Sequence, residues 1–508
     1  MMGFKLIIGL FFLLGNARFC LQECGMRLVE GALRDDEEDG VIVNRRLFTP
    51  ADIRSFNLKT QGEYCRGDLA SKYPFSCKQQ KRVLVIPQNY PVPTLHGSDK
   101  RCFHVLEALR ALDHRVAVVP FMRTYYKPGE EDNELLRQLK VEFYPTNLVQ
   151  HKKNTSDNYK KILDEFKPDV VITWLWFWEM RQTAPSVITP LTRAEAPNIK
   201  VIVFTDDVHS KREKQIAEQF KNFHAFDHYV KRSKKMMIQE IAAYRQCDVV
   251  VAISNADRAE IATMDGVSPT EKVMHMRYVA SPWENNLVTR LPSGSPPFSK
   301  RRNLVFVGNG ENPTNIHAMK WFLESLAKEF VKGIPGVRLT VIGQAWDAFK
   351  ENEAESAKYM DFLGPLSTQA MNAAIDQSLV FISPVRASTG INTKNVLALN
   401  RGIPLVTTPA GAVGMCAKCD NAVLVNPIDP FAADEPDSIV DMPLLMGRDI
   451  YDFVAQVKSV YYDETKWKLY SEAGAKHIQS WFGLPEAAGE VDLILERAFN
   501  PAVAHVSA

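Results

Sequence analysis

The sequence lacks an excess of charge of either sign. Its 508 residues carry 61 Lys and Arg against 60 Asp and Glu, so the formal net charge is +1. Proteins dedicated to nucleic acids need a strong positive field, and this balance argues against that class. A Gly-x-Gly-x-x-Gly motif is also missing after the first predicted strand, which disfavours an enzyme that uses a nicotinamide cofactor.

A long apolar run is missing too, and the one near the N-terminus is short. It extends from Leu6 to Gly15 behind Lys5 and is followed by the small residue Ala17. A membrane span needs roughly 20 such residues. The layout predicts a secretory signal peptide over residues 1–19, with a membrane-anchoring signal anchor as the alternative. We therefore expect the chain in the secretory pathway, in the ER or Golgi lumen or secreted.

Cysteine is sparse and forms no metal-binding pattern. The eight cysteines are Cys20, Cys24, Cys65, Cys77, Cys102, Cys247, Cys416 and Cys419. The first four precede Arg82, and in an oxidising compartment disulfides are expected there, with the pairing left open. Cys102 and Cys247 lie on apolar faces and are interpreted as core residues. Cys416 and Cys419 have no second pair and no His partner, so a local disulfide or two free thiols is favoured over zinc.

The chain is too long for one hydrophobic core and divides by its pattern. Residues 20–80 show no sustained period and are predicted to be a stem. Strand and helix patterns alternate over 81–289, as in "RVLVIPQ", "DKRCFHVLEALRALDH" and "RVAVVPF", and again over 303–482. Pro, Gly and Ser dominate the intervening linker, residues 290–302. Residues 483–508 are taken as a C-terminal tail.

Strand and helix alternation with short connections predicts an α/β fold with parallel sheets. Each half is large enough for its own doubly wound, Rossmann-like domain. In such sheets ligands bind beyond the carboxyl ends of the strands, where the strand order reverses. Two such domains facing each other form a cleft, which is a common place for a small-molecule site.

Three loops at predicted strand ends carry candidate binding residues. Gly97 and Ser98 stand between the first strand and its helix, and Gly308 follows the first strand of the second half. Glycine there either lets backbone N–H groups approach an anion or only makes a tight turn. Asp206 and His209 follow another strand, where His209 either bonds a sugar hydroxyl or caps a helix.

The stretch "SPVRASTGINTKNVLALNRGIPLVTT" suggests a phosphate site. It predicts a strand, a loop, a helix that begins near Asn392, and a next strand. The free N–H groups of the helix point at the loop. Lys394 lies in the first turn, where a cation opposes the helix dipole by a few tenths of a kcal/mol or more. A bound anion would reverse that cost, whereas the alternative is a solvated lysine.

Taken together, these stretches carry a family resemblance. "PVPTLHGSDKRCFHVLEALRALDHRVAVV", "YRQCDVVVAIS", "FVGNGENPTNIHAMKWFLESL" and "SPVRASTGINTKNVLALNRGIPLVTTPAGAVGM" resemble the motifs of glycosyltransferase family 4, in its Gly-Ile-x-x-Lys branch. The resemblance covers residues from about Arg82 to Phe482. It implies the GT-B fold, in which two Rossmann-like domains face a cleft.

The resemblance also implies an activity and a set of site residues. The activity is transfer of a sugar from a nucleotide-sugar donor to a glycan, lipid or protein acceptor, with retention at the anomeric carbon and without a cofactor or bound metal. The implied catalytic residues are His209 and Lys394. The implied donor-binding residues are Gly97, Ser98, Gly308, Arg386, Gly390, Ile391, Asn392, Thr393 and Lys394. Asp206 and Trp176 are interpreted as acceptor residues, although Trp176 fits core packing equally well.

The sequence departs from the family at two positions. Many members carry two glutamates eight positions apart, where this chain has Thr389 and Leu397. The later glutamate binds the donor ribose, and Leu397 cannot accept a hydrogen bond from a ribose hydroxyl. Two alternatives to a transferase therefore remain open. One is a catalytically silent GT-B relative that binds a glycan or a protein, and the other is a nucleotide-sugar epimerase.

Overall fold

The structure is a computed structural model, and it describes most of the chain beyond residue 58. The described residues are 59–91, 97–122, 134, 136–144, 148, 155–176, 182–219, 225–280, 296–416, 419 and 444–501. The predicted signal over 1–19, the first part of the predicted stem and most of the predicted linker lie outside them. Among the described residues, no helix combines the length and the apolar character that crossing a membrane requires.

The first half is built on a seven-stranded parallel sheet. Its strands are β1 Arg82–Ile86, β2 Arg115–Val118, β3 Glu142–Phe143, β4 Val170–Leu175, β5 Lys200–Thr205, β6 Val249–Ala252 and β7 Val273–His275. The spatial order is β3-β2-β1-β4-β5-β6-β7. Val83 pairs with Val116 on one side and with Val170 on the other. The strand order thus reverses between β1 and β4, which places a binding crevice at their carboxyl ends.

Helices cover both faces of this sheet, which explains its continuous apolar strands. They are α1 Gly97–Ala111, α2 Thr155–Phe166, α3 Ala184–Glu195, α4 His209–Gln219, α5 Ala225–Gln246 and α6 Asn255–Ala262. The core between the sheet and these helices is rich in β-branched side chains. Strand β4, for example, is buried along its whole length.

The second half repeats the architecture with six parallel strands. They are β8 Arg302–Val307, β9 Leu339–Ile342, β10 Met360–Gly364, β11 Ser378–Ser383, β12 Leu405–Thr407 and β13 Leu445–Met446, in the order β10-β9-β8-β11-β12-β13. Its helices are α7 Pro313–Trp321, α8 Ala327–Gly333, α9 Asp347–Asn352, α10 Thr368–Asp376, α11 Thr393–Asn400, α12 Pro409–Ala412, α13 Ile450–Tyr461 and α14 Glu464–Trp481. The predicted pair of doubly wound domains is confirmed.

The C-terminal segment crosses back to the first half. Residues 483–508 were expected to form a tail, but Leu484–Phe499 form a helix, α15, that packs against α1 and strands β5 and β6. Leu495 and Val491 lie in the same hydrophobic cluster as Val83 of β1. An apolar face on a helix has to be buried, and the first half offers a matching apolar surface.

The end of the predicted stem also belongs to the first half. Tyr64 and Phe75 are 4% and 5% exposed and pack in the core that α15 completes. The carboxylate of Asp492 in α15 accepts hydrogen bonds from the backbone N–H of Ser76, at 2.6 Å, and of Phe75. Both ends of the described chain therefore close over the same sheet.

The cysteines of the described residues divide into two disulfides and two buried thiols. Cys65 is bonded to Cys77, and Cys416 to Cys419. The local disulfide that the Cys-x-x-Cys pattern allowed is thus formed. Cys102 and Cys247 are buried free thiols, as the core interpretation predicted. Cys20 and Cys24 lie outside the described residues.

Candidate functional site

A cavity of about 570 Å³ lies between the carboxyl ends of the two sheets. The first half contributes residues that follow β1, β4 and β5, and the second half contributes residues that follow β8 and β11. Both sheets reverse their strand order at these strands, so the cavity occupies the two switch points at once. This is the cleft that the sequence pattern predicted.

Helix α11 presents its N-terminus to the cavity. The helix begins at Thr393, and its capping residue Asn392 makes no side-chain bond to the first turn. The amide of Asn392 instead donates to the Ser388 hydroxyl at 3.0 Å and to the Gly411 carbonyl at 3.3 Å. Among the described residues, the first N–H groups of the helix therefore have no capping side chain, and together they favour a bound anion.

Lys394 lies in that first turn and lines the cavity. Its ammonium group donates to the side-chain oxygen of Asn315 and lies 4.6 Å from the centre of the Phe306 ring. Desolvation lowers the pKa of Lys394 to about 7. No described carboxylate is paired with it, so an anionic ligand is the group that would stabilise its charged form.

Gly308, in the loop after β8, does not line the cavity. Its loop instead helps to position the side chain that binds Lys394. Gly308 directly follows β8, and a Cβ there would lie 2.7 Å from the amide nitrogen of Asn315. That amide donates to the Asn309 carbonyl at 2.9 Å, which aims the Asn315 oxygen at Lys394. The sequence reasoning did not identify Asn315, although its position in the first turn of α7 would have indicated it.

The two positions that depart from the family have different surroundings. Thr389 lines the cavity, is 7% exposed, and its hydroxyl is a buried group without a hydrogen-bond partner. Leu397 instead packs against the hydrophobic core of the second half. The position of the later glutamate therefore contributes an apolar side chain to packing and no polar group to the cavity.

On the first half, Asp206 organises the wall that faces Lys394. Its carboxylate accepts from the indole of Trp174 at 2.9 Å, from the guanidinium of Arg101 at 2.9 Å, and from the hydroxyl of Ser98. Ser98 and Asp206 both line the cavity. Ser98 thus holds Asp206 in the described structure and also lines the cavity.

Two further polar residues of this wall were missed by the sequence reasoning. Gln88 follows strand β1 and Asp99 lies in the first turn of α1, and both line the cavity. Burial, followed by the charge of Asp206, raises the pKa of Asp99 to about 8. Perturbed carboxyl groups in a cleft are candidates for function. The signal was their position at the end of β1 and the start of the following helix.

His209 lies beneath the cavity and not on its surface. It is 1% exposed, its Nδ1 is 3.0 Å from Asp207, and its ring meets Trp176 edge to face. Burial lowers the pKa of His209, but the carboxylates of Asp207 and Glu240 outweigh it and raise the pKa to about 9. The imidazolium ion therefore holds Asp207 and Trp176, both of which line the cavity.

Gly390 and Arg386 also have roles outside the cavity lining. Gly390 has φ +70°, and a Cβ there would lie 2.3 Å from the backbone oxygen of Asp206. Its N–H donates to the Asp257 carboxylate at 2.9 Å, so this loop of the second half contacts the first half directly. Arg386 is exposed, and its guanidinium lies 5.4 Å from the centre of the Trp321 ring.

The structure thus brings together part of the predicted set. The predicted residues that line the cavity are Ser98, Trp176, Asp206, Ile391, Asn392, Thr393 and Lys394. Those that do not are Gly97, His209, Gly308, Arg386 and Gly390. Gly97 and Ser98 were predicted to precede the first helix, but Gly97 is the first residue of α1. In the part of the chain that the structure describes, no group of three or more His, Cys, Asp or Glu side chains is arranged to hold a metal ion.

Solved structures of low sequence identity share this fold. Sucrose-phosphate synthase from Thermosynechococcus elongatus is 11% identical, with a TM-score of 0.56 over 83% of this chain and 100% of that one. Anabaena HepE, in complex with UDP and glucose, is 14% identical, with a TM-score of 0.53 over 82% and 100%. The catalytic domain of starch synthase IV from Arabidopsis thaliana, bound to ADP and acarbose, is 11% identical, with a TM-score of 0.54 over 83% and 99%.

One curated relative matches a short stretch. It is an uncharacterized 44.6 kDa protein in the cps region of Klebsiella pneumoniae, 26% identical over 117 residues. The match covers 22% of this chain and 30% of that protein. The chain therefore spans less than a third of the length of that relative.

Two family models match the two halves separately and in the order of the fold. The model for Glycosyltransferase Family 4 matches residues 96–274, and the model for Glycosyl transferases group 1 matches residues 301–435. Between them they contain α1, Asp206, Lys394 and the N-terminus of α11. The chain belongs to glycosyltransferase family 4 and has the GT-B fold.

Proposed function

We propose that the protein transfers a hexose from a nucleotide-sugar donor to an acceptor hydroxyl, with retention of the anomeric configuration. The observation that carries the proposal is the open N-terminus of α11, with Lys394 in its first turn, facing the polar wall around Asp206. Retention rests on membership of family 4. The donor lies against the second half and the acceptor against the first.

Lys394 and the first turn of α11 supply the electrostatics that this reaction needs. When the bond between the sugar and the diphosphate breaks, negative charge develops on the leaving phosphate. Fixed N–H donors and a cation at that position stabilise the transition state without reorganising. Because these groups belong to the chain itself, we propose that the transfer needs no bound metal.

The identity of the nucleotide is approached through the structural neighbours. HepE is described with UDP and glucose, and starch synthase IV with ADP and acarbose. Both ligands contain a nucleoside diphosphate, which matches the anion that α11 and Lys394 favour. We therefore propose a nucleoside diphosphate sugar as donor. Comparison of UDP, GDP and ADP in the experiment below identifies its base.

Thermal unfolding with UDP, GDP, ADP and their sugar conjugates tests the proposal. A ligand at 100 times its dissociation constant should stabilise the folded protein by about 2.7 kcal/mol. Lys394→Ala should abolish this stabilisation, because the diphosphate loses its cation. Lys468→Ala is the matched control: that lysine is exposed on α14 and pairs with Glu464, so the ligand effect should persist.

The same experiment separates the two alternatives. A folded protein that none of the nucleotides stabilises would contradict the proposal and favour the catalytically silent relative, which the apolar Leu397 also favours. An epimerase would bind the donor and interconvert it without any acceptor. A transferase should release the nucleoside diphosphate faster when an acceptor is added.

A further inference from the structure

The first-half wall of the cavity contains a buried polar atom that no group of the described residues satisfies. Gln88 is 5% exposed and lines the cavity, and its side-chain oxygen has no hydrogen-bond partner. Its amide nitrogen is occupied by the sulfur of Met122, at 2.7 Å. A buried acceptor left unpaired costs about 1–3 kcal/mol. Such a cost at a cavity wall indicates a ligand that donates a hydrogen bond there.

Asp99 offers a second open group on the same wall. Its carboxyl group lines the cavity, and no described residue donates a hydrogen bond to it. The neighbouring Asp206 differs, because the three donors around it already occupy its carboxylate. Of these two carboxyl groups, only Asp99 is therefore available to a ligand.

Both groups belong to the half that faces the donor site and not to the donor site itself. Gln88 stands two residues after β1, and Asp99 is in the first turn of α1, whereas Lys394 and Thr389 line the cavity from the second half. Trp176 adds an aromatic side chain to the first-half lining. The apolar face of a sugar packs on an aromatic ring. The hydroxyl groups at the edge of the sugar ring then form hydrogen bonds with polar protein groups.

We propose that Gln88 and Asp99 bind the acceptor, and that the acceptor is a sugar or polyol with at least two hydroxyl groups. This inference rests on the proposed function and deepens it. An isolated alcohol, such as a serine side chain or a lipid alcohol, would satisfy only one of the two groups. A sugar has several hydroxyl groups and can satisfy both. Sites with polar groups to satisfy discriminate strongly against ligands that leave them unpaired.

Ligand-observed saturation-transfer NMR in the presence of a nucleoside diphosphate tests the proposal. The sugar probes are the methyl glycosides of glucose, galactose and mannose, and the alcohol probes are N-acetylserine amide and 1-butanol. At least one glycoside should bind, and the two alcohols should not. Gln88→Leu and Asp99→Ala should each weaken glycoside binding by about tenfold or more, with nucleotide binding unchanged.

Stability supplies the control that separates binding from structure. The Gln88 oxygen is unpaired in the free protein, so Gln88→Leu should leave the midpoint of urea unfolding unchanged or raise it. Gln456→Leu is the matched control, because Gln456 in α13 donates to Asp452 at 3.2 Å, far along the chain from the cavity residues. It should lower stability slightly and leave glycoside binding intact.

Several results would overturn the inference. They are glycoside binding that survives both substitutions, alcohols that bind as well as glycosides, or a wild-type protein that binds none of the glycosides. A clear loss of stability in Gln88→Leu would assign that side chain to structure instead. Glycoside binding without any nucleotide binding would retain this subsite and remove the proposed function.

Discussion

At the scale of single residues, neighbouring side chains of one type have different roles because their surroundings differ. Asp206 has its carboxylate occupied by Ser98, Trp174 and Arg101, and it organises the wall. Asp99, the residue directly after Ser98, has an open carboxyl group whose pKa burial raises to about 8. Environment, and not residue type, sets which carboxyl group can bind or transfer a proton.

His209 illustrates the same point for a residue that the sequence marked as catalytic. In the structure it supports the cavity from below through Asp207 and Trp176. It is therefore a positioning residue, and its effect on activity should come through the two residues it holds.

The pH dependence of stability tests this role of His209. Its pKa is raised from 6.5 to about 9, so its ion pairs contribute fully below pH 6.5 and are lost as the pH rises through about 9. His209→Gln should therefore destabilise the protein by about 2–3 kcal/mol at pH 6 and by much less at pH 9.5. Urea unfolding at both pH values measures the difference. An equal loss at both would show that His209 is not an imidazolium ion.

At the scale of elements, the loop between β11 and α11 joins the two halves. The Ser388 N–H donates to the Gln215 side chain at 2.8 Å, and the Gly390 N–H donates to Asp257 at 2.9 Å. The same loop leads directly into Asn392 and Lys394. The position of the proposed diphosphate site therefore depends on how the first half packs against this loop.

Substitution of Gly390 tests that coupling. Gly390→Ala adds a Cβ at 2.3 Å from the Asp206 oxygen, so the halves should separate and nucleotide affinity should fall at least about tenfold. Gly336→Ala is the control, since Gly336 has φ +77° and nothing within 4 Å. Both variants carry a similar strain of about 1–2 kcal/mol. Small-angle scattering should show expansion for Gly390→Ala alone, and equal behaviour of the two variants would contradict the steric argument.

At the scale of the whole molecule, the first half is completed by the end of the chain. Helix α15 buries its apolar face in the same cluster as Val83, and Asp492 holds the backbone of Phe75 and Ser76. These contacts join residues that are separated in sequence by the whole second half. They therefore cannot form until the C-terminal helix is in place. The first half therefore depends on the C-terminal helix for its core.

Two leucines of α15 test this dependence. Leu495 is 1% exposed in the first-half core, whereas Leu493 on the same helix is 39% exposed. Leu495→Ala should cost about 2–5 kcal/mol, and Leu493→Ala less than about 1 kcal/mol. Amide hydrogen exchange should then accelerate in β1 and β4 for Leu495→Ala. Acceleration confined to the second sheet would show that α15 stabilises the other half.

The sequence by itself determined the elements and their pairing into two halves. Strands such as Arg82–Ile86 and Ser378–Ser383 are short β-branched runs beside helices, and short connections between them require parallel sheets. It also predicted the helix start beside Lys394, because capping and charge near a helix end are local properties. The family motifs added the GT-B fold, which the family models and structural neighbours confirm.

Only the tertiary structure decided which atoms remain open to a ligand. The burial of His209, the contact of Gly390 with Asp206 and the return of α15 all join residues far apart in sequence. The side chains of Gln88 and Asp99 are likewise open because the helices and strands described around them provide no hydrogen-bond donor to their oxygen atoms. Local pattern carries no information on such long-range contacts, since hydrogen bonding and burial are settled when the two sheets pack.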